Sequence, residues 1–217
     1  MSKKRLKEGD IFYVERDGKY FFGKILLDVN ERVLKSESEN IGLKFFSGCC
    51  LAAVYKGIYE KPNLISTELI IPGTFIFTKF FYSKKYKVDW TYYNHEPISY
   101  EKLDFPEALK SVHQKGICFI KGELELKTEI TSAQFDNEYK IMPGIDGSFN
   151  ALIDIACHYQ QRDDLMSVKR IMFLESRDLR FSPDKRKEVY RQIGEDMYQS
   201  YYEMALKHGY DLGRFYR

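Results

Sequence analysis

Ile11-Phe12-Tyr13-Val14-Glu15-Arg16, then Asp17-Gly18, then Lys19-Tyr20-Phe21-Phe22-Gly23-Lys24-Ile25-Leu26-Leu27 is the stretch on which the fold turns. Two runs rich in β-branched and aromatic residues flank an Asp-Gly pair. Both central positions of the tight hairpin turn need positive φ, and Asp-Gly supplies it. A β-hairpin is therefore expected here. Gly23, inside the second run, points to a bulge or to a close approach by another part of the chain.

Working outward, 32–35, 49–59, 74–81, 87–93 and 116–126 are short, aromatic or β-branched, and divided by turn-rich pieces. Such spacing predicts an antiparallel sheet that curls, or a small barrel. An extended loop is expected over 94–106, a helical turn over 107–111 and a loop over 132–148. The period then changes. Phe149, Leu152, Ile153, Ala156 and Gln160 recur at helical spacing. Ser182-Pro183-Asp184 opens a second helical segment whose apolar positions are Val189, Ile193, Met197, Tyr201 and Ala205, with Gly194 interrupting it and Gly209 ending it. The class read from this order is α+β, an N-terminal antiparallel curled sheet or small barrel followed by C-terminal helices.

Composition excludes several classes. The 217 residues carry 34 Lys+Arg against 32 Asp+Glu, a net charge of +2, and are 44% hydrophobic, enough to bury a core. The longest apolar runs, 49–55 and 69–77, are far short of the ~20 residues that span a bilayer, so no membrane partner is expected. The charged opening, Met1 to Asp10, leads into no apolar export segment, so a cytoplasmic location is expected. Cys49, Cys50, Cys118 and Cys157 sit in apolar stretches without metal-type spacing and read as buried free thiols.

The chain lacks G-x-G-x-x-G, G-x-x-x-x-G-K-[ST], G-x-S-x-G, C-x-x-C and H-E-x-x-H. His95-Glu96 is followed by Pro97 and reads as a loop dipeptide. His95, His113, His158 and His208 fall in different segments with no ligand spacing, so neither metal nor cofactor is expected. Glu123 and Glu125, two apart on a predicted strand, would share a face. They are the candidate acid/base pair for a small hydrolase, set against the plainer reading of a half-solvated strand.

Charge is uneven along the chain. From Glu123 to Asp146 six acids face two bases, a local −4, whereas 162–191 has nine bases and six acids, a local +3. The acidic stretch, with Phe135 and Tyr139 expected to be exposed, is a candidate docking surface for a basic partner, against the alternative of a solvated loop. Aromatics are abundant, with 17 Tyr, 16 Phe and one Trp. Trp90-Thr91-Tyr92-Tyr93 cannot place every ring on one side of a strand, which leaves some for a partner. The candidate partner-binding set is therefore Tyr92, Tyr93, Glu123, Glu125, Asp136, Glu138, Tyr139 and Asp146. Aromatics near Lys79, Lys84, Lys85 and Lys87 give an alternative, a nucleic-acid-binding β-barrel module, which ranks second because the chain has no overall basic excess.

Gly9-Asp10-Ile11-Phe12 followed by Asp17-Gly18-Lys19-Tyr20-Phe21-Phe22-Gly23-Lys24-Ile25 resembles the first hairpin of the immunity protein 26 family of bacterial polymorphic toxin systems. Val88-Asp89-Trp90-Thr91-Tyr92-Tyr93-Asn94-His95-Glu96-Pro97, leading to Leu103-Asp104-Phe105-Pro106, resembles that family's tryptophan-containing strand and the proline segment after it. The likeness runs over 9–129 and does not extend to 142–217. It implies a protein that binds a cognate toxin domain and blocks it without turnover of its own. An immunity-like β-rich part is expected over 1–131, with a loop and helical part over 132–217 packed on the same core. No toxin-contacting position carries over from the resemblance.

Overall fold

The first hairpin closes as its turn chemistry requires. In the computed structural model, which describes residues 5–35, 41–82, 88–168 and 173–217, Asp17 and Gly18 sit at φ 51° and 71°. This left-handed pair turns β1 (Asp10–Arg16) onto β2 (Lys19–Asp28) with Arg16 opposite Lys19. The chain forms two compact units that interleave in sequence. The first takes 1–37, 46–98 and 145–171, the second 38–45, 99–144 and 172–217, so each draws on both sides of position 131.

The first unit holds an antiparallel five-stranded sheet in the order β4-β3-β2-β1-β5, completed by β3 (Cys49–Tyr55), β4 (Leu69–Phe77) and β5 (Trp90–His95). Register shifts between Ile11 and Phe12 and between Ile25 and Leu27 mark bulges, which bend and twist such a sheet. Helix α1 (Phe149–Tyr159) lies on one face. Its Phe149 ring meets Phe12 at 4.6 Å between centroids, and a Cβ built on Gly23 would stand 2.3 Å from the same ring. Gly23 is thus a close approach, and the β2–β3 bulge lies further along. Gly23→Ala should force both rings aside and cost about 1–3 kcal/mol, read as a lowered denaturant midpoint with unchanged slope. Arg16, on the same face as Phe12, pairs with Asp154 of α1 and donates to the carbonyls of Asn150 (3.1 Å) and Leu165 (3.2 Å).

Several boundaries differ from expectation. Residues 32–35 are not a strand: 32–34 belong to the helical turn Asn30–Leu34 and Lys35 caps it, because the Asp28 carboxylate accepts from the Asn30 and Glu31 amides and starts a turn. The predicted strand 49–59 ends at Tyr55 and 74–81 shifts back to Leu69–Phe77, the chain then turning helically at Lys79–Tyr82. The strand expected at 87–93 is Trp90–His95, and Lys84, Lys85 and Lys87 lie outside the described residues.

The second unit has a three-stranded sheet, β6 (Glu107–Val112), β7 (Gly116–Lys121) and β8 (Leu124–Lys127), with α2 (Pro183–Ile193) and α3 (Tyr201–Lys207). Here 107–111 is strand rather than helical turn, since it pairs along its whole length with β7, and the short helical turn falls earlier, at Tyr100–Lys102. The expected strand 116–126 is a hairpin that reverses at Gly122-Glu123. Residues 132–139 are helical rather than loop, because Thr131 and Gln134 form a reciprocal cap. Gly194, at φ 69°, ends α2, and Ser200 with Glu203 caps a separate α3, so the second segment is two helices. The class is α+β, and no described helix is long and apolar enough to cross a membrane.

Candidate protein-docking face

Alternation along the first hairpin puts Phe12, Val14 and Phe21 on one side of the sheet and Ile11, Tyr13, Tyr20 and Phe22 on the other. The second side is where the first unit carries aromatic surface. Ile11, Phe22 and Tyr55 form its buried base, and Tyr13, Tyr20, Tyr59, Leu64 and Tyr93 pack on that base while staying half-exposed. Ring centroids lie 5.5 Å apart for Tyr13 and Tyr20, 5.4 Å for Phe22 and Tyr59 and 5.0 Å for Phe22 and Tyr93, the pairs meeting edge to face. Such contacts hold each ring in one orientation.

The segment after β3 completes this face. Tyr59 exchanges both backbone hydrogen bonds with Tyr20, at 2.9 and 3.2 Å, and its hydroxyl donates to the Lys56 carbonyl at 2.8 Å. The Leu64 amide donates to the Tyr93 hydroxyl at 3.4 Å. Ion pairs lie around the aromatic centre: Lys19 with Glu60 at 2.5 Å, Lys24 with Glu96 at 2.8 Å and Lys56 with Glu68 at 3.0 Å. Desolvation and the neighbouring Glu15 raise the Tyr20 phenol above its ordinary value, and burial with Glu96 raises that of Tyr55. An aromatic centre within a charged rim is the anatomy of a protein interface, where tyrosine supplies contact area at small entropic cost.

Tyr93 belongs to this cluster and Tyr92, on the same strand, is exposed. The acidic candidates are not brought together. Glu123 sits in the β7–β8 turn, 4% exposed, gripped by both terminal nitrogens of Arg214, and Asp146 is 4% exposed in the first unit, accepting from the Thr74 hydroxyl at 3.0 Å. Neither can be a surface contact, because burial and pairing consume both carboxylates. Glu125 pairs with Lys115 at 2.6 Å and does not share a strand face with Glu123, so the two offer no acid/base pair. Asp136 and Glu138 are exposed on the turn Phe135–Tyr139, Tyr139 is half-buried, and Phe135, expected outside, is buried. All four thiols are buried and free; desolvation pushes Cys49 and Cys157 up to about 11, which makes them poor nucleophiles.

The second unit holds a cleft of roughly 370 Å³, whose lining includes Lys102, Asp104, Lys121, Arg186, Tyr198 and Tyr201, and no histidine. Its buried charges pair with one another. Lys121 bonds Asp104 at 2.8 Å and Glu107 at 2.9 Å, Arg186 forks onto Glu107 at 2.6 and 2.8 Å, and Arg180 bridges Asp104 and Asp178. Burial alone would raise the Glu107 carboxyl, but Arg186 and Lys121 outweigh it and hold it below the ordinary glutamate range. That is a structural charge network around Asp104 and Glu107, beside which Glu101 lines the same cleft exposed. Among the described residues no three His, Cys, Asp or Glu side chains are grouped to hold a metal ion.

Sequence reading missed Tyr13, Tyr20 and Tyr59 as surface candidates. The signal was present: Tyr13 on β1 and Tyr20 and Phe22 on β2 share one side once the Asp-Gly turn sets the register. No curated protein and no solved structure matches the chain. Residues 7–111, a little under half of the 217 and including all five strands of the first sheet, match the family model for Immunity protein 26, the family that the amino-terminal hairpin and the tryptophan strand resemble.

Proposed function

We propose that this chain is a cytoplasmic immunity protein that binds a cognate polymorphic toxin domain and neutralises it by covering it, without turnover of its own. The docking surface is the tyrosine face of the five-stranded sheet. The observation that carries this reading is the set of half-exposed, mutually braced tyrosines lying within the residues that match the immunity family. Interface energy concentrates in buried aromatic anchors, and rings already held in place lose little freedom on binding.

The test is co-expression with the toxin encoded by the neighbouring gene. Cells carrying both should grow, and the two proteins should purify as a one-to-one complex. Tyr13→Ala and Tyr93→Ala should each weaken that complex by about 2 kcal/mol, roughly 30-fold in Kd, by isothermal titration. Equal killing with and without this protein contradicts the proposal for that toxin.

A further inference from the structure

Residues 56–68 join β3 to β4, and hydrogen bonds tie them to the tyrosine face along their length. At the neck of the loop the Lys56 amide donates to the Glu68 carbonyl at 2.7 Å, and the Lys56 ammonium holds both Glu68 carboxylate oxygens at 3.0 Å. The Gly57 amide donates to the Gln160 side chain at 2.7 Å. Gly57 sits at φ 122°, and a Cβ there would stand 2.5 Å from the Tyr59 hydroxyl, so the tyrosine lies directly against the start of the loop.

Two further bonds bracket a single residue. The Leu64 amide donates to the Tyr93 hydroxyl at 3.4 Å and the Ser66 amide to the Tyr59 hydroxyl at 3.3 Å. Two tyrosines of the face thus hold the backbone immediately before and after Ile65. Leu64 packs on the Ile11, Phe22 and Tyr55 base, whereas Ile65 is 77% exposed, the most exposed of the large aliphatic side chains described. Leu69, directly opposite Tyr55 in the register, shares that residue's side of the sheet and is also exposed. A scattered exposed aliphatic is ordinary on a protein surface. Ile65 differs in its setting, because its backbone is already ordered in the free protein, so burying its side chain against a partner adds apolar contact at little further loss of freedom.

We propose that Ile65 is an apolar anchor of the complex, entering a recess of the toxin domain lined by apolar side chains, next to the ground that the tyrosines cover. This rests on the docking reading above and adds a feature that the partner must present, a pocket for one branched aliphatic side chain. Continuity argues for that occupant. The hydroxyls that hold the loop belong to Tyr59 and Tyr93, so a partner seated on those two rings meets position 65 as well, inside the segment that matches the immunity family.

The test compares Ile65→Ala, Ile65→Asp and Ile65→Val with wild type, first alone and then against the purified toxin domain from the neighbouring gene. In the free protein Ile65→Ala should unfold at the wild-type denaturant midpoint, since an exposed side chain supports little of its own fold. A clearly lowered midpoint would show that Ile65 packs within the free protein and overturns the anchor. In isothermal titration Kd should rise about tenfold or more for Ile65→Ala and about a hundredfold for Ile65→Asp, while Ile65→Val should raise it by less than Ile65→Ala. Wild-type binding with an unchanged Kd for Ile65→Ala overturns the anchor and leaves the docking reading standing. Absence of wild-type binding brings down both.

Discussion

Glu107→Ala should destabilise the protein by about 3–5 kcal/mol, the loss expected when one partner of a buried charge pair is removed. Glu107 is 0% exposed and its carboxylate serves Arg186, Lys121 and the Tyr190 hydroxyl, the last at 2.8 Å. Truncation strands two cations, with Asp104 left as the remaining acceptor for Lys121. Thermal unfolding should fall by on the order of 10 °C. The pH dependence carries a sign. Asp104 and Glu107 are both held below their ordinary values of 3.8 and 4.5 by their cationic partners, against burial that would raise them. Their stabilisation is fully present above those values and is lost as pH falls through the lower, folded ones. Wild type should therefore lose stability more steeply below about pH 4.5 than Glu107→Gln, in chemical denaturation read across pH.

Asp154→Ala should cost about 3 kcal/mol, at the lower end of the same range. Asp154 is 1% exposed, so its carboxylate depends on Arg16 and on the Ser167 amide and hydroxyl, at 2.9 and 2.8 Å. Arg16 keeps the Asn150 and Leu165 carbonyls after the substitution, which is why the loss does not reach the upper end. Asp154→Asn, which preserves shape and one acceptor, should lose less. Equilibrium unfolding monitored by tyrosine and tryptophan fluorescence separates the two, and equal midpoints for wild type and Asp154→Ala would show that the pair contributes nothing.

How much of this was legible depends on whether the controlling interaction is local. Asp17-Gly18 dictates its own turn, so the hairpin and the sides of β1 and β2 follow from the sequence. Helix α1 follows from its apolar period, and its ends lie within one residue of expectation. Glu107 was placed on a helical turn because a six-residue strand with mixed polarity has no period to read. Its pairing opposite Lys121 and its fork from Arg186, 79 residues away, decide its conformation instead. Glu123 and Asp146 show the same limit. Their acidity was visible, but Arg214 and Thr74, 91 and 72 residues distant, decide that they are buried rather than displayed. The aromatic excess was evident from composition, whereas the side of the sheet that displays it required the register.

Hydrogen exchange with and without the toxin domain tests the central claim most directly, because it reports which amides the complex covers. Docking on the tyrosine face predicts slowed exchange at 11–22, 56–69 and 90–96 in the complex. Protection confined to 129–139, or no protection anywhere in a neutralising complex, would contradict it.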